Sequence, residues 1–264
     1  MPNENPTKTI IVALSVCIVC SILVSAAAVS LQGRQEENKA LDRIRNILLA
    51  AGLPVSDDNI KNLYQDNVSP VMINLNTGVP VRSKDLDGIL SIEGFDIRTA
   101  ASDQVYGRKI PADEDMAGIR RMPKYMVVYF IRVNGKTEKI VLPIYGKGLW
   151  STMYGFMALG RDLKTVKGVT FYEHAETPGL GGEIDNPSWK KSWEGKQVFD
   201  MDGKVTVRVI KGKADLSLPE SIYQIDGISG ATLTSRGVNN LVRFWLGPNG
   251  YGPLLKKLGE EFHG

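Results

Sequence analysis

YMVVYFIRVNGKTEKIVLPI, residues 125–144, decides the fold. Tyr125 to Val133 and Thr137 to Ile144 are rich in β-branched and aromatic residues, and Asn134-Gly135 between them is the pair that accepts positive φ at both corners of a two-residue hairpin. The segment therefore reads as an antiparallel hairpin. Val166 to Tyr172 and Val205 to Ile210 share its composition and are bounded by Gly-, Pro- and Trp-containing connections, so two more strands are expected there. Upstream, Val71 to Leu75 reads as a strand closed by a turn at Asn76-Thr77-Gly78, and Asp57-Asp58 opens a short helix through Tyr64. Residues 80–120 are polar and loop-rich, with Asp113-Glu114-Asp115 on a solvated face. Downstream of Ser235, Val238, Leu241, Val242 and Trp245 recur at i, i+3, i+4 and i+7, the face of an amphipathic helix that Gly247-Pro248 ends. Antiparallel strands mixed with helices, without a repeat, give a mixed α+β domain.

The N-terminus differs in kind. Ile10 to Val29 is uninterrupted and uncharged, and at about 1.5 Å per residue it covers a hydrocarbon core of about 30 Å. Lys8 ahead of the run and Ala26-Ala27-Ala28 at its end also suit a cleavable signal, but the apolar part of a signal is shorter, about 7–15 residues. A retained single-pass transmembrane helix is the reading. Arg34, Lys39, Arg43 and Arg45 on its C-terminal side, counted alone, would keep the following domain inside the cell. From Gln35 to Ala51, Leu41, Ile44, Leu48 and Ala51 mark an amphipathic stalk stopped by Gly52 and Pro54. The expected order is a tail at 1–9, a transmembrane helix at 10–29, a stalk at 30–54, an α/β insert at 55–124 and a final domain at 125–264.

Composition excludes several classes of function. The 264 residues are 43% hydrophobic, enough for a real core, and 32 basic against 29 acidic residues leave a net charge of +3 without a basic stripe, so no nucleic-acid partner is indicated. The only cysteines, Cys17 and Cys20, lie in the apolar run, leaving no thiol elsewhere for a disulfide, zinc or nucleophilic catalysis. As a Cys-x-x-Cys pair they supply half of an iron–sulfur ligand set and read as small packing residues.

Chemistry concentrates in three stretches. Asp226-Gly227-Ile228-Ser229-Gly230-Ala231-Thr232-Leu233-Thr234-Ser235 leads straight into the C-terminal helix. Its backbone N–H groups at Ala231, Thr232 and Leu233 suit a phosphate, with Gly227 and Gly230 letting the backbone approach; equally, Ser229, Thr232 or Thr234 suits a helix cap. Tyr145-Gly146-Lys147-Gly148-Leu149-Trp150-Ser151 and Glu173-His174-Ala175-Glu176-Thr177-Pro178-Gly179-Leu180-Gly181-Gly182 combine glycines with bulky neighbours. There a flat ligand could approach the glycines, with Trp150 and Leu180 over its face and Thr177 at its edge; turns with core aromatics are the alternative. His174 with Glu173 or Glu176 falls short of a metal set, and the second histidine, His263, is next to the C-terminus. A serine hydrolase using Ser229 and His174 lacks the nucleophile elbow's second glycine, since Ala231 stands there.

Together these stretches resemble the FMN-binding domain family whose flavin is joined through its phosphate to a threonine. The family pattern Asp-x-x-Ser/Thr-Gly-Ala-Thr is met by Asp226, Ser229, Gly230, Ala231 and Thr232. The resemblance makes Thr232 the site of a threonyl phosphodiester, formed by a separate flavin transferase. It sets Thr177, Pro178, Gly179, Leu180 and Gly181 against the isoalloxazine ring and Gly148, Leu149 and Trp150 as a second wall, with Leu233, Thr234 and Glu173 as further cofactor-binding positions. Over its whole length the chain is similar to the family of C subunits of bacterial sodium-translocating NADH:quinone oxidoreductases. The G subunit of the Rnf complex shares the anchor and motif but has a shorter segment before the flavin domain. The resemblance implies a covalent FMN that relays single electrons from NADH toward ubiquinone while sodium is exported. It also implies partners in subunits A, B, D, E and F, a bacterial inner-membrane location, and a flavin domain in the periplasm, against the flank charges. No metal and no catalytic side chain are implied, and the subunit alone has no NADH dehydrogenase activity. A different class, an anchored periplasmic binding or scaffold domain without flavin, remains if Thr232 is only a cap.

Overall fold

The computed structural model describes residues 6–56, 58–82 and 88–263, in two units, Met1–Arg43 and Ile44–Gly264. The apolar run and the stalk form one helix, α1 (Pro6–Ala50). Among the described residues it is the one helix long and apolar enough to cross a membrane, and the window that qualifies is unburied, with mean hydropathy 2.8. Cys17 and Cys20 are exposed on it as free thiols. Its last turn belongs to the second unit, where Ile47, Leu48 and Ala50 are buried. The stop at Gly52 is a helix-ending turn in which Leu53 N–H donates to Leu48 O at 3.0 Å.

The second unit is built on a six-stranded antiparallel sheet. Its strands are β1 (Val68–Asn74), β2 (Val79–Pro80), β5 (Tyr125–Val133), β6 (Lys136–Lys147), β7 (Thr152–Gly160) and β8 (Val166–Glu173), in the order β2-β1-β5-β6-β7-β8. The hairpin is as read: Val133 faces Lys136, and Asn134 and Gly135 have φ of 51° and 77°. Before it lie α2 (Ile60–Asn67), α3 (Ile97–Ser102), and the pair β3 (Gly107–Lys109) and β4 (Arg121–Pro123); after it come α4 (Pro187–Lys191), β9 (Arg208–Val209), β10 (Gln224–Ile225), α5 (Thr232–Leu246) and α6 (Gly252–His263).

Several expectations change. β7, TMYGFMALG, lies between β6 and β8 and is a strand that the sequence does not announce; it is buried at almost every position, so it lacks the polar alternation that marks a half-exposed strand. The strand expected at Val205–Ile210 shrinks to β9, which pairs in parallel with β10 outside the main sheet. Asn239 of α5 completes it, accepting from Val209 N–H at 2.6 Å and donating to Val209 O at 2.9 Å. The strand expected at Val71–Leu75 begins earlier, at Val68. The helix expected from Asp57-Asp58 begins at Ile60; Asp57 lies outside the described residues. Within the supposed loop region, Asp96 caps α3 by accepting from Thr99 N–H, and β3 pairs with β4. The first strand of the 55–124 segment pairs with β5, so that segment contributes to the same sheet as the hairpin.

The C-terminal helices are pinned to β6 where it loses its β5 neighbour. Pairing with β5 stops at Val141, so Pro143, which lacks an N–H, deprives no strand of a donor. Tyr251 donates its hydroxyl to Pro143 O and Trp245 its indole N–H to Tyr145 O, each at 2.7 Å and both buried. Tyr251→Phe therefore leaves a buried carbonyl unpaired and is expected to cost about 1–3 kcal/mol in urea unfolding.

Candidate functional site

Thr232 is the first residue of α5, after Ala231, whose side chain makes no capping bond. Thr232 is exposed and its hydroxyl has no partner among the described residues; Ser229 is likewise exposed, and the Thr234 hydroxyl is committed elsewhere. The capping alternative is thus not realised. The Ala231 N–H, expected to be free for a phosphate, is spent on Ile228 O at 3.2 Å, and the next to find a carbonyl is that of Ser235, bonded to Ala231 O at 2.9 Å, so those of Thr232, Leu233 and Thr234 have no acceptor among the described residues. A positive helix end with free donors is an anion seat.

Beside Thr232 a groove of about 650 Å³ separates α5 from the segment around Val209–Lys213. Lys211, Lys213 and Arg236 line it without ion-pair partners among the described residues, and the buried Ser235 Oγ lining the same groove is unbonded. Sequence reasoning missed Lys211, Lys213 and Arg236; Arg236, one helical turn from Thr232, was the legible signal. The turn is tied in place from behind. Asp226 accepts from Ala214 N–H at 2.8 Å through its carboxylate and from the Trp189 indole at 2.9 Å through its carbonyl. A Cβ on Gly227 would come within 2.3 Å of Ile210 O, and one on Gly230, at φ +71°, within 2.7 Å of Leu180 Cδ2. These glycines are thus also required by packing within the chain.

The other two stretches meet α5 through a residue that sequence reasoning weighed only as a metal ligand. Glu176 is 4% exposed. Its carboxylate accepts from Trp150 N–H at 3.0 Å, from Leu149 N–H at 3.2 Å and from the Thr234 hydroxyl. The neighbouring Thr177 hydroxyl accepts from the Trp150 indole at 3.1 Å. Gly148 and Gly181 flank this carboxylate: a Cβ on either would lie 2.5 Å from Glu176 Oε1 or from Thr234 Oγ1, respectively. They clear space for Glu176 and Thr234, a packing reason for glycine at these two positions that the sequence did not show. Pro178 and Gly179 form an exposed turn, and Leu149, Trp150, Leu180 and Leu233 keep large apolar surface in solvent.

Glu173 is not gathered with these residues. Its carboxylate is bound by Arg98, which also donates to Tyr154 Oη at 3.0 Å. His174 has both ring nitrogens engaged: Nε2 with Asp185 at 2.7 Å, and Nδ1 as acceptor from Glu176 N–H at 3.2 Å. It offers no base to Ser229, and no group of three or more metal-ligating side chains occurs among the described residues. The side chain of His263 lies outside them.

Electrostatics support the same layout. Burial alone would raise the Glu176 carboxyl, but the Thr234 hydroxyl and the N–H groups of Trp150 and Leu149 outweigh it and hold it below the ordinary carboxylate range. The bond to Asp185 outweighs burial at His174 and raises it above 6.5. A raised histidine stabilises the fold fully below its unfolded value and loses that contribution as pH rises through the folded one. Asp185→Asn is therefore expected to bring the His174 NMR titration down and flatten the fall in urea stability from about pH 6 to 8.

The chain matches the FMN-binding domain model over residues 148–247. It is 44% identical over 259 residues to the C subunit of the Na(+)-translocating NADH-quinone reductase of Pseudomonas aeruginosa, covering 97% of each chain. To the corresponding C subunit of Yersinia pestis it is 42% identical, covering 98% of this chain and 95% of the other. Its structure resembles the crystal structure of Shewanella oneidensis NqrC with a TM-score of 0.77 and 34% identity, over 85% of this chain and 99% of that one.

Proposed function

Because the chain belongs to the family of Na(+)-translocating NADH-quinone reductase C subunits and carries its FMN-binding domain, we propose that Thr232 holds FMN covalently through its phosphate. We propose further that the flavin relays electrons within a membrane oxidoreductase, from NADH toward ubiquinone, coupled to sodium export. The observation that carries this reading is the chemistry around Thr232. An exposed, unbonded hydroxyl stands at a positive helix end, beside free N–H groups and the cations Lys211, Lys213 and Arg236. Those groups suit a phosphodiester. Bound FMN supplies a one-electron carrier that cannot diffuse away.

This chain's residues do the holding. The first turn of α5 fixes the phosphate, Leu149, Trp150, Leu180 and Leu233 offer apolar surface to the ring, and Glu176 with Thr177 keeps the 148–150 and 177–181 segments in register with α5. Their exposure leaves the ring within reach of a redox partner in the complex. A flavin transferase would form the bond, subunits A, B, D, E and F would surround the product, and α1 would anchor it in the bacterial inner membrane with the flavin domain in the periplasm. Peptide mass spectrometry on native membranes tests the attachment: the peptide with Thr232 should carry FMN less water, and an unmodified peptide ends the reading.

A further inference from the structure

Glu176 is the single acidic side chain buried among the described residues, and no cation is bonded to it. Its partners are two backbone N–H groups and one hydroxyl. A buried charge with no cation bonded to it, and His174 coupled to it only through space, is costly to keep where a neutral side chain of the same shape could tie the segments together. The charge sits directly behind Leu149 and Trp150, the segment to which the proposed function assigns one wall of the flavin site. Gly148 and Gly181 are shaped around it.

We propose that Glu176 is a positioning residue that also acts electrostatically, locking the Leu149–Trp150 wall to α5 while its fixed negative charge lowers the reduction potential of the flavin beside that wall. This rests on the proposed function. Reduction adds negative charge to the ring, and a carboxylate held out of water opposes it more strongly than one in solvent. Glu176 itself exchanges neither electron nor proton. The electron comes from one redox centre of the complex and leaves to the next, and the carboxylate sets only how readily it is held. The carboxyl stays ionised at neutral pH because its donors hold it below the ordinary range.

The test is a potentiometric titration of the full-length, flavin-loaded protein. Glu176→Gln keeps the volume and removes the charge, so the midpoint potential should shift positive at unchanged flavin content. Thr234→Val strips one donor from the same carboxylate and leaves its charge less compensated, so the potential should shift the opposite way. Thr177→Val, which breaks the Trp150 indole bond without touching the charge, should move it less than either. An unshifted potential in a loaded Glu176→Gln protein, or shifts of one sign in Glu176→Gln and Thr234→Val, overturns the electrostatic role. Should Glu176→Gln not load flavin, Thr234→Val decides that question. Positioning is read separately in flavin-free Thr232→Ala protein: adding Glu176→Ala, which removes both acceptor oxygens, should shift the amide signals of Leu149 and Trp150 and remove their protection from hydrogen exchange, and unchanged signals overturn it. A wild-type protein without flavin on Thr232 sinks the proposed function instead, and the amide signals still judge the positioning.

Discussion

Thr232→Ala should abolish the flavin and leave the fold almost untouched. The hydroxyl is exposed and unbonded, the residue before it makes no side-chain cap, and the α5 backbone runs on through buried Val238, Leu241, Val242 and Trp245 regardless. A surface change of this kind moves stability by no more than about 0.5 kcal/mol. Loss of a working cap would cost about 0.5–2 kcal/mol. The two measurements are in-gel flavin fluorescence and urea unfolding of the flavin-free forms of both proteins. A fluorescent band lost with the stability kept identifies Thr232 as the attachment point. A band that survives places the flavin elsewhere, and a cost near 2 kcal/mol with no flavin in either protein would return Thr232 to the role of cap.

What could be read in the sequence was what local chemistry determines. Asn134-Gly135 has few alternatives to a tight turn, and the hairpin around it is present in register. The spacing of Val238, Leu241, Val242 and Trp245 gave the buried face of α5. Long-range packing hid the rest. β7 lacks alternation because neighbours enclose it, and the short β9 depends on Asn239, thirty positions away along the chain from Val209. The α6 helix follows a run of Gly and Pro at 247–253 that masks its start. In the site, the Asp226–Thr232 motif was local and therefore visible, whereas Glu176 owes its contacts to Leu149, Trp150 and Thr234, partners set by the tertiary fold. Glu173 shows the converse: close in sequence to Thr177–Gly181, it is bound by Arg98.

The glycines around Glu176 give the second large effect. Gly148→Ala would drive its Cβ to 2.5 Å from Glu176 Oε1, and Gly181→Ala to 2.5 Å from Thr234 Oγ1 and 2.9 Å from Glu176 Oε2. Neither contact relaxes without moving a buried carboxylate off its donors, so each change should cost about 1–3 kcal/mol in urea unfolding. Gly179 is a contrast: at φ +74° with open space around it, Gly179→Ala meets only the left-handed backbone penalty of about 1 kcal/mol and leaves the Glu176 bonds intact. A double-mutant cycle separates crowding by Glu176 from any other need for glycine. In a Glu176→Ala background the two nearest atoms are gone and only the flexible Met153 side chain, with Cγ at 3.1 Å, still presses on the new Cβ, so Gly148→Ala should cost far less than in wild type, with a coupling of about 1 kcal/mol or more. Additive costs would mean that Gly148 is glycine for a reason unrelated to the carboxylate. Coupling would fix Glu176 as the centre around which the Gly148 and Gly181 segments are shaped, and through them the Trp150 and Leu180 surface offered to a flavin.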